Sequence, residues 1–150
     1  MRVFDGVEEL RAAVGSDLGT SAWLDVDQHR IDTFADATDD HQWIHVDPAR
    51  AVDGPFGRTV AHGFLTVALL PAFGWDTFEV RGVAMTVNYG LNKVRFTSPV
   101  PVGSRVRGTV ELVEVSDVSG GVQLVNKVTV EIEGSDRPAL VAEWLTRQYL

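Results

Sequence analysis

The feature of the sequence that decides the fold is the stretch Phe64-Leu65-Thr66-Val67-Ala68-Leu69-Leu70-Pro71-Ala72-Phe73-Gly74. Its side chains are apolar on almost every face that a helix would present. A helix that is apolar on all sides is usually buried in the middle of a fold. We therefore expect one buried helix that begins after Gly63, with Pro71 near its end.

The chain beyond this helix predicts β-strands, because β-type residues alternate there with polar ones. The predicted strands cover residues 85–90, 93–96, 105–115, 123–131 and 139–149. Two turn-rich stretches separate the last three strands, Ser119-Gly120-Gly121 and Gly134-Ser135-Asp136-Arg137-Pro138. We expect an antiparallel meander that packs one face on the helix.

A shorter helix is predicted over residues 25–37, where aspartates can cap its start and Ile31, Phe34 and Ala35 have helical spacing. It should end near Thr38, so that the residues that follow lie in a loop. Pro48 favours a short helical turn through residue 51 before a glycine- and proline-rich break at Gly54-Pro55-Phe56-Gly57.

Composition limits the class of protein. With 150 residues, 45% of them apolar, residues 1–150 are expected to form a single domain. The absence of cysteine excludes disulfides, thiol nucleophiles and cysteine-based zinc sites. Acidic residues stand where a signal peptide would be apolar, and no stretch could span a bilayer, which predicts a cytoplasmic protein without a membrane partner. A net charge of -8 predicts no nucleic-acid partner.

The stretch that best indicates chemistry is Asp39-Asp40-His41-Gln42-Trp43-Ile44-His45-Val46-Asp47. A carboxylate and an imidazole held near one water can remove one proton and deliver another, as addition of water to a double bond requires. Asp40 and His45 are the predicted pair if the loop turns back on itself. The same spacing also allows Asp40 to cap a turn while His45 bonds to backbone.

Gly63 is a candidate because it stands where the apolar helix should begin. A backbone N–H at a helix start can stabilise a developing oxyanion, and glycine lets a ligand approach closely. The alternative is an ordinary helix-start glycine. His62 is a possible donor to a ligand, although histidine at this position is more often structural. Four aromatic residues could line an acyl pocket or simply fill the core, namely Trp43, Phe64, Phe73 and Trp75.

Other kinds of site have weaker support. Three bases could contact a ligand phosphate, although each is more often a solvated charge, namely Arg58, Lys93 and Arg95. A metal site from Asp40, His45 and Asp47 lacks the helical His-Glu-x-x-His spacing, so no metal is predicted. The sequence has no serine-hydrolase elbow, phosphate loop or dinucleotide fingerprint.

Residues 39–47 resemble the motif of the MaoC-like or (R)-specific enoyl-CoA hydratase family, approximately Gly-Asp-x-Asn-Pro-apolar-His with an acidic residue two positions on. The resemblance continues through residues 34–38, 60–64 and 88–96, and it extends from about Asp25 to the C-terminus. Three positions depart from the motif, with Asp39 for glycine, Gln42 for asparagine and Trp43 for proline. This variant resembles the nodulation-protein-N-like branch.

The resemblance implies an α+β hot-dog fold, in which an antiparallel sheet wraps a long central helix, and usually a homodimer. It implies that Asp40 and His45 are catalytic and that Gly63 offers the oxyanion N–H. The substrate would be a trans-2-enoyl-CoA of fatty acid metabolism, hydrated to the (R)-3-hydroxyacyl-CoA or formed by the reverse dehydration. Coenzyme A would enter with the substrate, with no separate cofactor.

Substrate contacts are expected from Gln42, Trp43, Arg58, His62, Phe64, Lys93 and Arg95. Gln42 could orient the loop or a water, and Trp43 could reshape the pocket mouth. Two alternatives stay open at this point. One is a hot-dog acyl-CoA thioesterase, and the other is a non-catalytic acyl-CoA-binding subunit.

Overall fold

The computed structural model describes residues 1–150 and contains eight strands and six helices. In chain order they are β1 (Arg2–Phe4), α1 (Val7–Ala12), β2 (Asp17–Thr20), β3 (Leu24–Val26), α2 (Gln28–Thr38), α3 (Trp43–Val46), α4 (Pro48–Ala51), α5 (Gly63–Ala68), α6 (Leu70–Thr77), β4 (Phe78–Val80), β5 (Met85–Phe96), β6 (Ser104–Val118), β7 (Gly121–Ile132) and β8 (Leu140–Tyr149).

The main sheet has six strands in the order β2-β6-β7-β8-β5, with β3 also paired to β6. All its pairings are antiparallel, and both predicted turns fall at hairpins, between β6 and β7 and between β7 and β8. The predicted antiparallel meander is therefore confirmed. A separate pair joins β1 to β4 in parallel, and the sequence patterns did not predict these short strands.

Strand β5 corrects the prediction of two strands over residues 85–90 and 93–96. It is one strand of 12 residues, and its register with β8 shifts between Asn88 and Gly90 and between Leu91 and Lys93. Irregularities of this kind let a strand continue through residues that break the alternating pattern. β5 pairs only with β8, so it is an edge strand.

The expectation of one continuous central helix is also wrong, because the apolar stretch forms α5 and α6 with a break at Leu69. Proline has no N–H for the helical bond to the residue four positions earlier, and its ring crowds that carbonyl. Pro71 therefore cannot continue α5, but it suits the first turn of a new helix, where it lies in α6.

Helix α6 packs closely on the sheet. A Cβ placed on Gly108 of β6 would lie 2.7 Å from the ring of Phe73, and one on Gly74 would lie 3.1 Å from the indole of Trp144. Phe73 is only 1% exposed and belongs to a core of 25 buried apolar residues. The absence of side chains on these glycines thus lets helix and sheet approach each other.

Burial on all sides of the apolar stretch is not observed in this chain. Phe64 is 72% exposed, and Ala68 and Ala72 on the same side of the two helices are exposed as well, because the sheet covers only one side of α5 and α6. The periodicity of the stretch predicted a helix correctly, but it could not show which of its faces would be covered.

The helix predicted over residues 25–37 is confirmed as α2, except that residues 25 and 26 belong to β3. The helix α1 was not predicted. The side chain of Asp27 caps it by accepting from the N–H of Arg30 at 2.8 Å, and it ends at Thr38. Pro48 begins α4 as expected. The residues between these helices are not all loop, since Trp43–Val46 form the helical turn α3. No helix has the length and apolar character needed to cross a membrane.

Candidate active site

The site begins where α2 ends. Asp39 follows that helix in the left-handed conformation, with φ 58° and ψ 20°, and it is the only residue other than glycine with positive φ. Aspartate tolerates this conformation better than most side chains. The chain therefore turns sharply before Asp40, whose side chain is half exposed and accepts a long bond from the N–H of Gln42 at 3.4 Å.

His45 lies on α3 and is buried, with 7% of its surface exposed. Its Nδ1 is 2.6 Å from the carbonyl oxygen of Val60. Because a carbonyl oxygen only accepts hydrogen bonds, Nδ1 must carry the hydrogen, and in a neutral ring the lone pair is on Nε2. The N–H of Val60 in turn donates to the carbonyl of Ile44 at 3.0 Å, which fixes α3 against the segment before α5.

The surroundings of His45 keep its ring neutral. Burial lowers the pKa of His45 below the ordinary value of 6.5, and the neighbouring His62 lowers it further. The bond to Val60 and the carboxylate of Asp40 act in the opposite direction but are outweighed. At neutral pH the His45 ring can therefore accept a proton at Nε2.

His62 lies against His45, with its ring stacked at 3.8 Å between centroids and an angle of 24° between planes. It is 2% exposed, and its Nε2 is 2.9 Å from the backbone carbonyl of Asp40. Side-chain nitrogen or oxygen atoms of Asp40, His45 and His62 lie within 4.8 Å of one another. The structure thus brings the predicted pair together and adds His62 as its third member.

Two polar residues behind His45 were not found by sequence reasoning. Gln28, at the start of α2, donates through Nε2 to the backbone carbonyl of His45 at 2.8 Å. Its Oε1 accepts from the hydroxyl of Thr59 at 2.6 Å, and Thr59 is 1% exposed. Gln28 therefore joins α2 to α3 and to the chain before α5. No local sequence signal marks bonds between residues so far apart.

Gly63 is the first residue of α5, and its N–H makes no hydrogen bond within the chain. A Cβ at this position would lie 3.0 Å from the ring of Phe96 on β5. The N–H is therefore available to a ligand oxygen, beside an aromatic ring that leaves little room for a side chain on residue 63.

Four of the other predicted contact residues lie on the helical segments and loops around the site, namely Gln42, Trp43, Arg58 and Phe64. Gln42 and Arg58 are exposed, and no ion pair involves Arg58. Phe64 is exposed beside Phe96, 6.2 Å between ring centroids. Trp43 is partly buried, with the guanidinium of Arg50 4.4 Å above its ring.

The structure does not bring Lys93 and Arg95 to the pair. Side chains alternate along a strand, and Val94 and Phe96 point to the helix side of β5, so Lys93 and Arg95 point to the other side. Lys93 contacts Glu143 there, at 3.5 Å. The four aromatic residues considered for an acyl pocket are also dispersed, since Phe73 is core and Trp75 lines a cavity near the end of α6.

The cluster of Asp40, His45 and His62 contains ligand types that metals use. One nitrogen of each histidine is already bonded to a backbone carbonyl. The nearly parallel stack of the two rings also makes it difficult for both remaining lone pairs to converge on one ion. The absence of a metal stays a prediction.

Comparison with known proteins identifies the family. The protein-family model described as "MaoC like domain" matches residues 9–134 of this chain. The 3-hydroxyacyl-thioester dehydratase Z of Mycobacterium tuberculosis is 56% identical over 148 residues, covering 98% of each chain. Nodulation protein N of Rhizobium leguminosarum bv. viciae is 52% identical over 142 residues, covering 92% of this chain and 88% of that protein.

A solved structure supports the same fold. The R-hydratase PhaJ1 from Pseudomonas aeruginosa superposes with a TM-score of 0.72 at 23% identity, covering 91% of this chain and 81% of that one. The expected resemblance, including its nodulation-protein-N-like branch, is thereby confirmed. The chain belongs to the MaoC-like family and is a hydro-lyase with the hot-dog fold.

Proposed function

We propose that this chain is an (R)-specific enoyl-CoA hydratase, which adds water to a trans-2-enoyl-CoA and also catalyses the reverse dehydration. The observation that carries the proposal is the buried His45, whose Nδ1 is held by Val60 and whose ring lies beside the Asp40 carboxylate. A neutral imidazole with one free nitrogen next to a carboxylate can bind and deprotonate a water.

In the proposed mechanism Asp40 and His45 bind one water between them. The water oxygen forms a bond to C3 while one of its protons passes to Nε2 of His45. The electrons of the C2=C3 bond move to the thioester oxygen. The enolate then collapses as C2 takes the proton back from the His45 imidazolium, so hydroxyl and hydrogen add on the same face and the ring returns to its neutral form.

Asp40 has two tasks in this scheme. Its carboxylate accepts the second hydrogen of the water, which orients the oxygen, and it stabilises the imidazolium that forms on His45. Gly63 would donate its unpaired N–H to the thioester oxygen as negative charge develops there. Each step transfers a proton or redistributes an electron pair within the substrate, so we propose no metal or redox cofactor.

We assign the acyl chain to a groove of about 380 Å³ between the two central helices and β5. It is lined mainly by apolar groups, among them Val67, Leu70 and Leu91, with Trp144 at its base. Val67 is one helical turn beyond Gly63, so an acyl chain leaving a thioester at that N–H can enter the groove directly. Gln42, Trp43 and Phe64 would then border the site, and Arg58 would be the base that contacts a coenzyme A phosphate.

The reaction class of the M. tuberculosis relative supports this choice, since its name describes a dehydratase of 3-hydroxyacyl thioesters. A thioesterase would use the same groups to direct water to the carbonyl carbon instead of C3. A non-catalytic subunit would bind acyl-CoA without turnover, although the intact Asp40 and His45 pair favours catalysis.

One experiment separates these functions. Enoyl-CoAs of graded chain length are mixed with the protein, and loss of the conjugated thioester and release of free thiol are followed in parallel. We expect hydration without thiol release, and chiral analysis should find the (R)-3-hydroxy product. Thiol release would identify a thioesterase, and binding without either change would identify a non-catalytic subunit.

We also propose that the chain forms a homodimer through β5. This edge strand leaves one row of backbone groups unpaired and exposes apolar side chains, including Met85, Val87, Tyr89 and Leu91. Long apolar edge strands are normally covered in native proteins. Light scattering of the wild-type protein should give twice the mass of the chain. The variant Val87→Lys should give the mass of a single chain. The cytoplasmic location expected from composition remains part of this proposal.

A further inference from the structure

We propose that His62 is a positioning residue for the reaction, which holds the backbone of Asp40 so that its carboxylate meets the ring of His45. This inference rests on the proposed function. Its basis is the bond between Nε2 of His62 and the carbonyl of Asp40 at 2.9 Å, together with the stack of His62 on His45.

The bond fixes the form of the His62 ring. The carbonyl oxygen of Asp40 can only accept, so Nε2 of His62 must carry a hydrogen. Its Nδ1 is buried and has no hydrogen-bond partner. A neutral ring protonated at Nε2 is the form that satisfies the Asp40 bond and leaves no N–H or positive charge without a partner in the protein interior.

A structural role alone does not explain these contacts. A buried polar atom without a partner destabilises the folded state, so an apolar ring would serve the core better than an imidazole. Phe34, 5.0 Å from His62 between ring centroids, shows that the surroundings accept aromatic groups. What the imidazole adds is a donor that reaches the half-exposed turn bearing Asp40 and ties it to buried structure.

The position of His62 makes it suited to align both members of the pair. One face of its ring supports the ring of His45, and one edge bonds the residue that carries the carboxylate. The side chain of Asp40 is 51% exposed and has only one long bond of its own, to the N–H of Gln42. Without the bond to His62, that turn would lose its tie to the buried part of the site.

Two substitutions test the hydrogen-bond donor and the aromatic ring of His62 independently. His62→Phe keeps an aromatic ring for the stack but removes the donor, and His62→Gln keeps an N–H donor of similar reach. We expect His62→Phe to lower kcat about 10- to 100-fold with little change in KM, because misplacement of a catalytic group by about 1 Å can cost 10²-fold. His62→Gln should recover most of the rate. The matched control is His29→Gln, at an exposed histidine of α2, which should leave kcat unchanged.

The Tm of His62→Phe is a second measurement, and we expect it not to fall together with kcat. His62→Phe removes the unpartnered Nδ1 from the interior, and the exposed turn at Asp40 can bond to water instead. We therefore expect the Tm of this variant to equal or exceed that of the wild type while its kcat falls. A merely structural histidine would lower Tm and activity together.

A double-mutant cycle identifies the residue through which His62 acts. If His62 works through Asp40, His62→Phe should have no further effect on kcat in the Asp40→Asn background. A wild-type kcat for His62→Phe, an equal loss for His62→Gln, or the full additional loss in Asp40→Asn would each overturn the inference. A wild-type rate for Asp40→Asn alone would instead overturn the proposed function, so the two failures are distinguishable.

A measurement without substitutions completes the test and does not depend on whether His62→Phe folds. ¹⁵N shifts of the histidine rings in the wild-type protein report which nitrogen carries the hydrogen. We expect His62 to be protonated at Nε2 and His45 at Nδ1. A His62 ring protonated at Nδ1 alone would overturn the positioning role, because Nε2 could not donate to Asp40.

Discussion

The two halves of the apolar stretch, α5 and α6, differ in how they meet the rest of the protein. In α6 the contact is tight, with Phe73 on Gly108 and Trp144 on Gly74. At the start of α5 the backbone N–H of Gly63 has no partner, and the nearby His62 has a buried nitrogen without one. We infer that α6 stabilises the fold through close packing. The start of α5 instead carries polar groups without hydrogen-bond partners, which are available for the reaction.

The largest effect is expected for Asp40→Asn, which should reduce the rate of hydration by about 10²- to 10⁴-fold, the usual contribution of general acid–base catalysis. The amide is nearly isosteric, but it carries no charge to stabilise the His45 imidazolium. The rate is measured with crotonyl-CoA, and circular dichroism checks folding. Asp36→Asn, at an acid 78% exposed on the same segment, is the control. An unchanged rate for folded Asp40→Asn would show that this end of the molecule is not catalytic.

A substitution in α6 is expected to lower stability and leave activity unchanged. Phe73→Ala should lower the free energy of unfolding by about 3–5 kcal/mol, since it removes a buried ring and leaves a cavity. Turnover per folded molecule should stay near the wild-type value. Urea unfolding and active-site titration measure the two quantities.

Gly108 provides the matched control for that change. Gly108→Ala alone places a methyl group 2.7 Å from the Phe73 ring and should destabilise the protein by about 1–3 kcal/mol. Combined with Phe73→Ala, the methyl group no longer meets the ring atoms, although it still lies 2.8 Å from the Cβ that alanine keeps. Part of the conflict is relieved, so the combined loss should be smaller than the sum of the two single losses. Full additivity would mean that these residues do not pack as described.

A smaller effect is expected for Gly63→Ala, about tenfold in kcat/KM. The N–H remains, but the new methyl group must displace the Phe96 ring, which lies 3.0 Å from its position. Gly63→Ala with Phe96→Leu should recover part of the loss. Steady-state kinetics of the two variants check this, and a wild-type kcat/KM for Gly63→Ala would argue against a close approach of substrate at this N–H.

The smallest effect is on stability as a function of pH. Burial lowers the pKa of folded His45 below 6.5. Above 6.5 the ring is neutral in both states, but as the pH falls toward the folded pKa only the unfolded chain gains the proton. Stability should therefore decrease in this window, and kcat/KM should hold to a pH below 6.5 before it falls.

His41 contributes in the opposite direction. Its bond to Asp36 raises the pKa of this exposed ring, so its contribution to stability is present below 6.5 and is lost as pH rises through the raised value. Urea unfolding as a function of pH should show that His41→Gln loses the decrease in stability above 6.5, and that His45→Gln loses the decrease below 6.5. Identical profiles would show that neither ring is coupled to folding.

Sequence reasoning reached the parts of the molecule that local patterns determine. The Asp27 cap, the start of α4 at Pro48 and the glycine hairpins depend on residues close in the chain, and all were predicted. The break between α5 and α6 follows from Pro71, whose effect on the preceding turn was underestimated.

The supports of the site were not accessible to the same reasoning. Gln28 meets the backbone of His45 across 17 positions, and His62 meets that of Asp40 across 22. Such bonds exist only after the sheet has brought α2, α3 and α5 together. The motif could therefore suggest Asp40 and His45 as a pair, but the tautomer of His45 and the proposed role of His62 required the three-dimensional arrangement.

The left-handed backbone at Asp39 restricts which side chains residue 39 can carry. The left-handed backbone of residue 39 directs the next side chain toward the imidazoles. Aspartate adopts this conformation less readily than the glycine of the related motif, but more readily than most other residues. Exchange between these two residues should therefore preserve the direction of the Asp40 side chain, whereas a β-branched residue, which resists this conformation, should change it.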